Sequence, residues 1–314
     1  LTHFPGDKRH PCKKEGKKEE GMTIVGPLLS AVEGNRQKLD GGAMFGNVPR
    51  PMWTKWLNPD ERGRIELACR AMLIEWEGKK ILCETGVGAF FDPKLAERFG
   101  VEDPSHHLLE NLAHLGVSSD SVDYVILSHL HFDHAGGLLP TWKEIQDHGQ
   151  YLLFPNATYI VGAQAFARAK KPHFRDKASF IPGMTGLLED SGRLRLVEGA
   201  RLPGVFEDRL EFRFTDGHTP GQMHTVFRGD QRKLVFAGDL IPGTSWVHLP
   251  ITMGYDRFPE KLIDEKRDLY ETIVSEDWWC FYTHDLRVAM SRIRDEDGKF
   301  IPFDPQEHVV RKAF

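Results

Sequence analysis

The stretch Ser128–Gly137, SHLHFDHAGG, places three histidines and an aspartate within six positions. It follows a short apolar run, Asp123 to Leu127, that reads as a buried strand. Side chains alternate in an extended segment, so His129 and His131 point one way and Leu130 the other. Asp133 and His134 come a turn later and face a different wall. One ion cannot comfortably take all four groups, whereas two neighbouring ions can divide them. Neutral imidazole and carboxylate suit zinc, iron, manganese or cobalt. Gly136 and Gly137 predict a backbone that passes close to this segment, where a side chain has no room.

An inconsequential histidine-rich surface loop is the competing reading. It loses weight because ligand-type residues recur at the ends of other apolar runs. His218 follows LEFRFTDG, Asp239 closes KLVFAGD, and His284 is the last residue but one of WWCFYTHD. Strand ends of layered sheets lie side by side, so residues distant in sequence can converge at one edge.

Working outward, AMLIEWEGKKILCETG reads as a hairpin around Glu77-Gly78-Lys79. Residues 105–116 read as a helix with Leu108, Leu109, Leu112 and Leu115 on one face and Gly116 as its stop. ATYIVG and HTVFRG are further short strands, and Pro259–Glu276 is a helix with proline in its first turn.

The chain has 314 residues, 40% of them apolar, and a formal net charge of −5. That length suits one large domain or two small ones, and with no internal linker we expect one domain over 22–314. Residues 1–21 are rich in Lys and Glu and are expected to be a flexible tail or an appended remnant. The mildly acidic balance argues against a nucleic-acid partner. No run approaches the ~20 apolar residues of a membrane span, and the first residues lack the apolar core of a secretory signal. Cys12, Cys69, Cys83 and Cys280 have no ligand spacing and read as reduced thiols, as in a cytoplasmic protein.

SHLHFDHAGG, DGHTPGQ, AGD and YTHD, in this order, resemble the metallo-β-lactamase superfamily of metal-dependent hydrolases. The resemblance runs from about Met44 to about Arg292. It implies an αββα sandwich, two mixed β-sheets flanked by helices, with a dinuclear site on one edge. His129, His131 and His218 would hold one ion. Asp133, His134 and His284 would hold the second, and Asp239 would bridge them. The ions would be two divalent cations, zinc first, with manganese, cobalt or iron as alternatives. Two such ions about 3.5–4 Å apart lower the pKa of a shared water from about 15.7 towards 7, which supplies a hydroxide nucleophile. Asp133 is the ligand best placed to accept the proton and return it to the leaving group.

Two departures matter. Glu84, in CETG, stands where the family usually has an aspartate that orients a metal-binding histidine. Pro242 stands where many quorum-signal lactonases carry a tyrosine that steadies the substrate carbonyl, and His248, Tyr255 and Tyr282 are the candidates to replace it. By length and by the arm DGGAMFGNVPRPMWTKW, the chain is otherwise similar to the lactonase and methyl-parathion-hydrolase branch. Phe45, Phe90, Phe91, Trp246, His248 and Tyr255 are the expected substrate contacts. Met44, Phe45, Trp53 and Trp56 serve equally well as packing for the arm.

The expected activity is hydrolysis of a small apolar lactone, ester or phosphotriester. The alternative is a mononuclear iron oxidoreductase of the same fold, such as a persulfide dioxygenase, using His129, His131, His218 and Asp239. A non-catalytic metal-binding protein is the blandest option. A homodimer built on Pro259–Glu276 and the tail is expected by analogy with the family.

Overall fold

The structure, a computed structural model, describes residues 26–206 and 208–314. The expectations for residues 1–21 and for Cys12 lie outside this range. In chain order the strands are β1 (Leu28–Glu33), β2 (Gln37–Asp40), β3 (Arg64–Leu67), β4 (Arg70–Trp76), β5 (Lys79–Cys83), β6 (Tyr124–Leu127), β7 (Thr158–Gly162), β8 (Leu194–Val197), β9 (Leu210–Thr215), β10 (Gln222–Arg228), β11 (Lys233–Phe236), β12 (Trp279–Phe281), β13 (Met290–Glu296), β14 (Lys299–Gln306) and β15 (Lys312–Ala313). The helices are α1 (Gly41–Phe45), α2 (Arg50–Trp53), α3 (Pro93–Phe99), α4 (His107–His114), α5 (Phe132–Ala135), α6 (Trp142–His148), α7 (Ala163–Lys170), α8 (Met184–Asp190) and α9 (Pro259–Glu276).

Two mixed sheets form the centre. One runs β15-β1-β4-β5-β6-β7-β8, with β5 to β8 parallel and the rest antiparallel. The other runs β14-β13-β12-β11-β10-β9, with only the β11–β12 pair parallel. A two-stranded sheet, β2-β3, belongs to the N-terminal arm.

The layer order follows from strand alternation. Met72 and Ile74 of β4, Ile81 and Cys83 of β5, and Ile126 of β6 point inward. There they meet Phe212, Met223, Leu234, Phe236, Trp279 and Phe281 of the second sheet. The residues between them, Ala71, Leu73, Leu82, Val125 and Leu127, pack outward against Leu108 and Leu112 of α4, Phe166 of α7 and Leu188 of α8. On the far side, Val226, Val235 and Cys280 pack against Leu262, Leu269, Tyr270 and Ile273 of α9. Strands buried on both faces read as continuous apolar runs, as YVIL and KLVF do. The chain is therefore an αββα sandwich.

The hairpin closes through Glu77 and Gly78, both at positive φ, as a two-residue hairpin turn requires. Cys69, Cys83 and Cys280 are free and buried. The apolar face of α9 is consumed by the second sheet, which leaves Val274 as its exposed large apolar residue. No described helix is long and apolar enough to cross a membrane.

Candidate metal centre

Each candidate ligand sits just past the end of a strand. His129 and His131 follow β6, and Asp133 and His134 lie on the one-turn helix α5. Gly136 and Gly137 come next. A Cβ there would lie 2.2 Å from Val87 O and 2.0 Å from Thr85 O respectively, so only glycine lets the two segments touch. His218 follows β9 in a turn ending at Gly221, whose amide donates to Asp216 Oδ1 at 2.9 Å. Asp239 follows β11, after Gly238 at φ +52, where a Cβ would lie 2.8 Å from Gln222 Nε2. His284 follows β12 and its amide donates to Pro242 O at 2.8 Å.

The structure brings all seven together. His129, His131 and His218 offer atoms within 4.8 Å of one another, as do Asp133, His134 and His284, and also His129, His134 and Asp239. Asp239 stands between the two triads. Its Oδ2 is 3.2 Å from His218 Nε2, and its Oδ1 is 3.1 Å from His284 Nε2 and 3.3 Å from His134 Nε2.

Surrounding groups fix which imidazole nitrogen faces the centre. His284 Nδ1 donates to Ala68 O at 2.6 Å. His218 Nδ1 donates to Asp256 Oδ1 at 2.9 Å. His129 Nδ1 pairs with Ser128 Oγ at 2.8 Å. These bonds turn each Nε2 inward. Glu84 lies behind His134 as an ion-pair neighbour, with Oε2 at 3.3 Å from Nδ1, although the two do not meet in hydrogen-bond geometry. Its other oxygen accepts from Ser128 N at 2.7 Å, and its backbone takes φ 68. The extra methylene and the left-handed backbone together let glutamate reach where aspartate is usual.

Burial tends to raise the Asp239 pKa, but His134, His284 and His218 overcome it and hold the carboxyl well below the usual range. Burial and the neighbouring imidazoles push His129 and His131 well below 6.5, so both are neutral. Burial is the largest influence on His134, His284 and His218 and opposes their charge, but Asp239 together with Asp133 and Glu84 at His134, Cys69 at His284 and Asp256 at His218 overcomes it and raises all three.

His129 Nε2, His134 Nε2 and Asp239 Oδ1 are buried without a hydrogen-bond partner. Leaving such atoms uncompensated costs about 1–3 kcal/mol each, and a cation removes that cost. The nitrogen and oxygen donor set fits zinc-type divalent ions.

A cavity of about 660 Å³ opens over this cluster. His131, Asp133, His218, Asp239 and His284 line it, with Leu39, Met44, Phe99, Phe132, Met253 and Tyr255 as its apolar wall. Of the expected substrate contacts, only Tyr255 reaches it. Phe45 is fully buried, stacked between Trp53 at 5.7 Å and Trp246 at 4.7 Å. Trp246 donates its indole N–H to Met44 O at 2.8 Å. Both aromatic residues are core of the arm. Phe90 and Phe91 sit one layer back, with Phe91 packed on Phe99 and Phe132, which do line the cavity. His248 is exposed, its ring 6.5 Å from that of Trp56. The Tyr282 hydroxyl is buried on Ser291 Oγ at 2.7 Å. The Tyr255 hydroxyl stays protonated, because burial and the carboxylates of Asp133 and Asp40 push its pKa up to about 12.

Two residues absent from the sequence-based reading touch the ligands. Gln37 of β2 is fully buried and donates from Nε2 to Asp133 Oδ2 at 2.7 Å. Asp256 holds His218 and also accepts from Met253 N at 2.6 Å.

The model of the metallo-beta-lactamase superfamily matches residues 64–292 of the chain. An N-acyl homoserine lactonase of Bacillus thuringiensis is 25% identical over 239 residues, covering 70% of this chain and 82% of that protein. Among solved structures, a probable metal-dependent hydrolase from Staphylococcus aureus is 26% identical, with a TM-score of 0.79 over 93% of this chain and 100% of the other. AidC, a dizinc quorum-quenching lactonase in complex with a product, is 19% identical with a TM-score of 0.66, covering 92% and 95% of the two chains. AidC is similar in fold.

Proposed function

The chain belongs to the metallo-β-lactamase superfamily, and from that premise and the site geometry we propose that it is a dinuclear metal-dependent hydrolase cleaving a lactone or another ester-like bond of a small molecule. One observation carries the reading: seven buried His and Asp residues converge as two triads with Asp239 standing between them. His129, His131 and His218 would hold one ion, and Asp133, His134 and His284 the other. When bound, the ions supply Lewis acidity and an activated water.

The chain's own residues do the rest. Asp133 lines the cavity, and Gln37 fixes one of its oxygens by the 2.7 Å bond. Asp133 thereby takes up the proton released in the attack and delivers it to the leaving oxygen. Tyr255 presents a protonated hydroxyl on the cavity wall and can donate to the substrate carbonyl, in place of the tyrosine missing at Pro242. Leu39, Met44, Phe99, Phe132 and Met253 exclude water around the reacting bond. The lactonase form of the reading takes support from the Bacillus relative. The second triad favours a dinuclear hydrolase over a mononuclear iron oxidoreductase, which needs none of it.

The test is a rate panel on zinc- and manganese-loaded protein: aliphatic lactones of several chain lengths, an aryl ester and an aryl phosphotriester. Asp239→Ala is the control, and bound metal is counted per chain. Two ions and hydrolysis that vanishes in the control are expected. A folded, metal-loaded protein that cleaves nothing, or one iron per chain with sulfide-dependent oxygen uptake, overturns the reading.

A further inference from the structure

The chain is acidic overall, yet six of the residues lining the catalytic cavity are cations: Lys38, Arg62, Arg64, Lys94, Arg98 and Arg175. Three of them are neutralised. Lys38 pairs with Glu102, Arg62 with Glu97 at 3.1 Å, and Arg64 with Asp60 at 2.9 Å. The other three face no carboxylate partner among the described residues. Lys94 and Arg98 stand one turn apart on the exposed face of α3, and the Arg98 guanidinium lies over the Phe99 ring at 5.6 Å. Arg175 reaches across to donate from Nη2 to Gly254 O at 2.9 Å, beside Tyr255. Outside the ligand set, the acids lining the cavity are Asp40, which caps Ala43 N, and Glu97, already paired.

Three unpaired cations against the one unpaired carboxylate of Asp40 leave this rim net positive, and a net charge around a concave, partly apolar site focuses its field on whatever enters. An apolar wall with a cationic rim suits an amphiphile: an apolar body ending in an anion. We propose that the substrate carries an anionic group, carboxylate or phosphate, at the end away from the scissile bond, and that Lys94, Arg98 and Arg175 receive it. This rests on the hydrolase reading for the scissile bond, but not for the charge of the far end.

The rate test compares 4-nitrophenyl hexanoate with the mono-4-nitrophenyl ester of adipic acid, which has the same chain length and an ionised end. Zinc-loaded protein is assayed at low and high salt, beside Lys94→Gln/Arg98→Gln and Arg175→Gln. The readout is the ratio of kcat/KM for the anionic over the neutral ester. We expect about tenfold or more at low salt, the sum of several modest rim contacts. It should collapse towards unity at about 0.5 M salt and in the double variant. Calorimetric binding of hexanamide, the monoamide of adipic acid and a hexanamide bearing a terminal phosphate to the same proteins gives a second readout that needs no catalysis. If neither ester is cleaved while the adipic monoamide binds about tenfold more tightly than hexanamide, and the double variant abolishes the difference, the hydrolase reading fails and the anion site stands. The stronger of the carboxylate and phosphate probes identifies the anion. Equal handling of charged and neutral probes, or a preference that survives both variants, overturns the proposal.

Discussion

Asp256→Asn removes one charge and no bulk, and its consequence can be worked from two distances. Asp256 is 1% exposed, with one oxygen 2.9 Å from His218 Nδ1 and the other 2.6 Å from Met253 N. Both neighbours are donors, and asparagine has one oxygen. If that oxygen faces Met253, the new NH2 meets His218 Nδ1, forces the proton to Nε2 and turns a lone pair away from the centre. If it faces His218, two N–H groups confront each other at Met253. Either arrangement forfeits a hydrogen bond to a charged acceptor, worth about 1.5–3 kcal/mol. Because 1.4 kcal/mol is about tenfold, the first arrangement weakens metal binding by roughly 10- to 100-fold, the range typical for loss of such an orienting partner. The second puts the cost into stability instead. Zinc competition against a chromophoric chelator measures the first, and urea unfolding of chelator-treated protein measures the second. Zinc affinity and unfolding both within twofold of the parent would refute the claim that Asp256 orients His218.

Burial pushes the His224 pKa down to about 4. Its native form therefore binds fewer protons than the unfolded chain between that value and about 6.5. The stability it contributes is full above pH 6.5 and is lost as pH falls through 4. That amounts to about 3 kcal/mol on the acid limb, which His224→Gln should flatten in urea titrations at several pH values. Phe45→Ala should cost about 3–5 kcal/mol in denaturant unfolding, whereas Trp56→Ala, at a residue 38% exposed, should cost less than about 1. Similar losses would mean that the arm is not packed through Phe45. Tyr255→Phe should lower kcat about 10- to 100-fold with unfolding unmoved. An unaltered kcat removes Tyr255 from the chemistry.

The convergence of the seven candidate ligands was legible because its information is local. His129 to His134 declare themselves within six positions, and the apolar runs β6, β11 and β12 and the alternating strand β9 end where the candidate ligands fall. The glycines Gly136 and Gly137 were legible for the same reason. The hairpin β13–β14 was not read, although Asp297-Gly298, both at positive φ, is a strong hairpin turn signal. Its flanks alternate with exposed charge, as RDE and KFIPFD do, so no apolar run drew attention to it. Gln37 and Asp256 were invisible for a different reason. Each touches a ligand 96 or 38 residues away, and neither residue type carries a metal signature at its own position. The aromatic contacts misled because Phe45 and Trp246 satisfy each other by stacking, which sequence proximity to the site cannot reveal.

The outer helix α9 shows how far from the ligands their positions are set. Its Lys266 is fully buried and donates from Nζ to Trp246 O, His248 O, Leu249 O and Ile251 O, at 2.7 to 3.3 Å. Burial pushes this amine down to about 7, with Asp256 opposing that shift. The four carbonyls belong to the segment that leads to Met253, Tyr255 and Asp256. The same segment buries Trp246, Ile251 and Met253 with Phe45 in the core of the arm. One lysine therefore fixes the loop that supplies a cavity wall, the candidate hydroxyl donor and the orienting partner of His218. The sandwich sets the ligand atoms through strand ends, while the arm, α3 and this loop set what the cavity admits. Two hydrolases can accordingly share all seven ligands and differ wholly in substrate. The substrate of this chain must be sought in the walls, where its cations and Tyr255 are, and not in the motif that declares its chemistry.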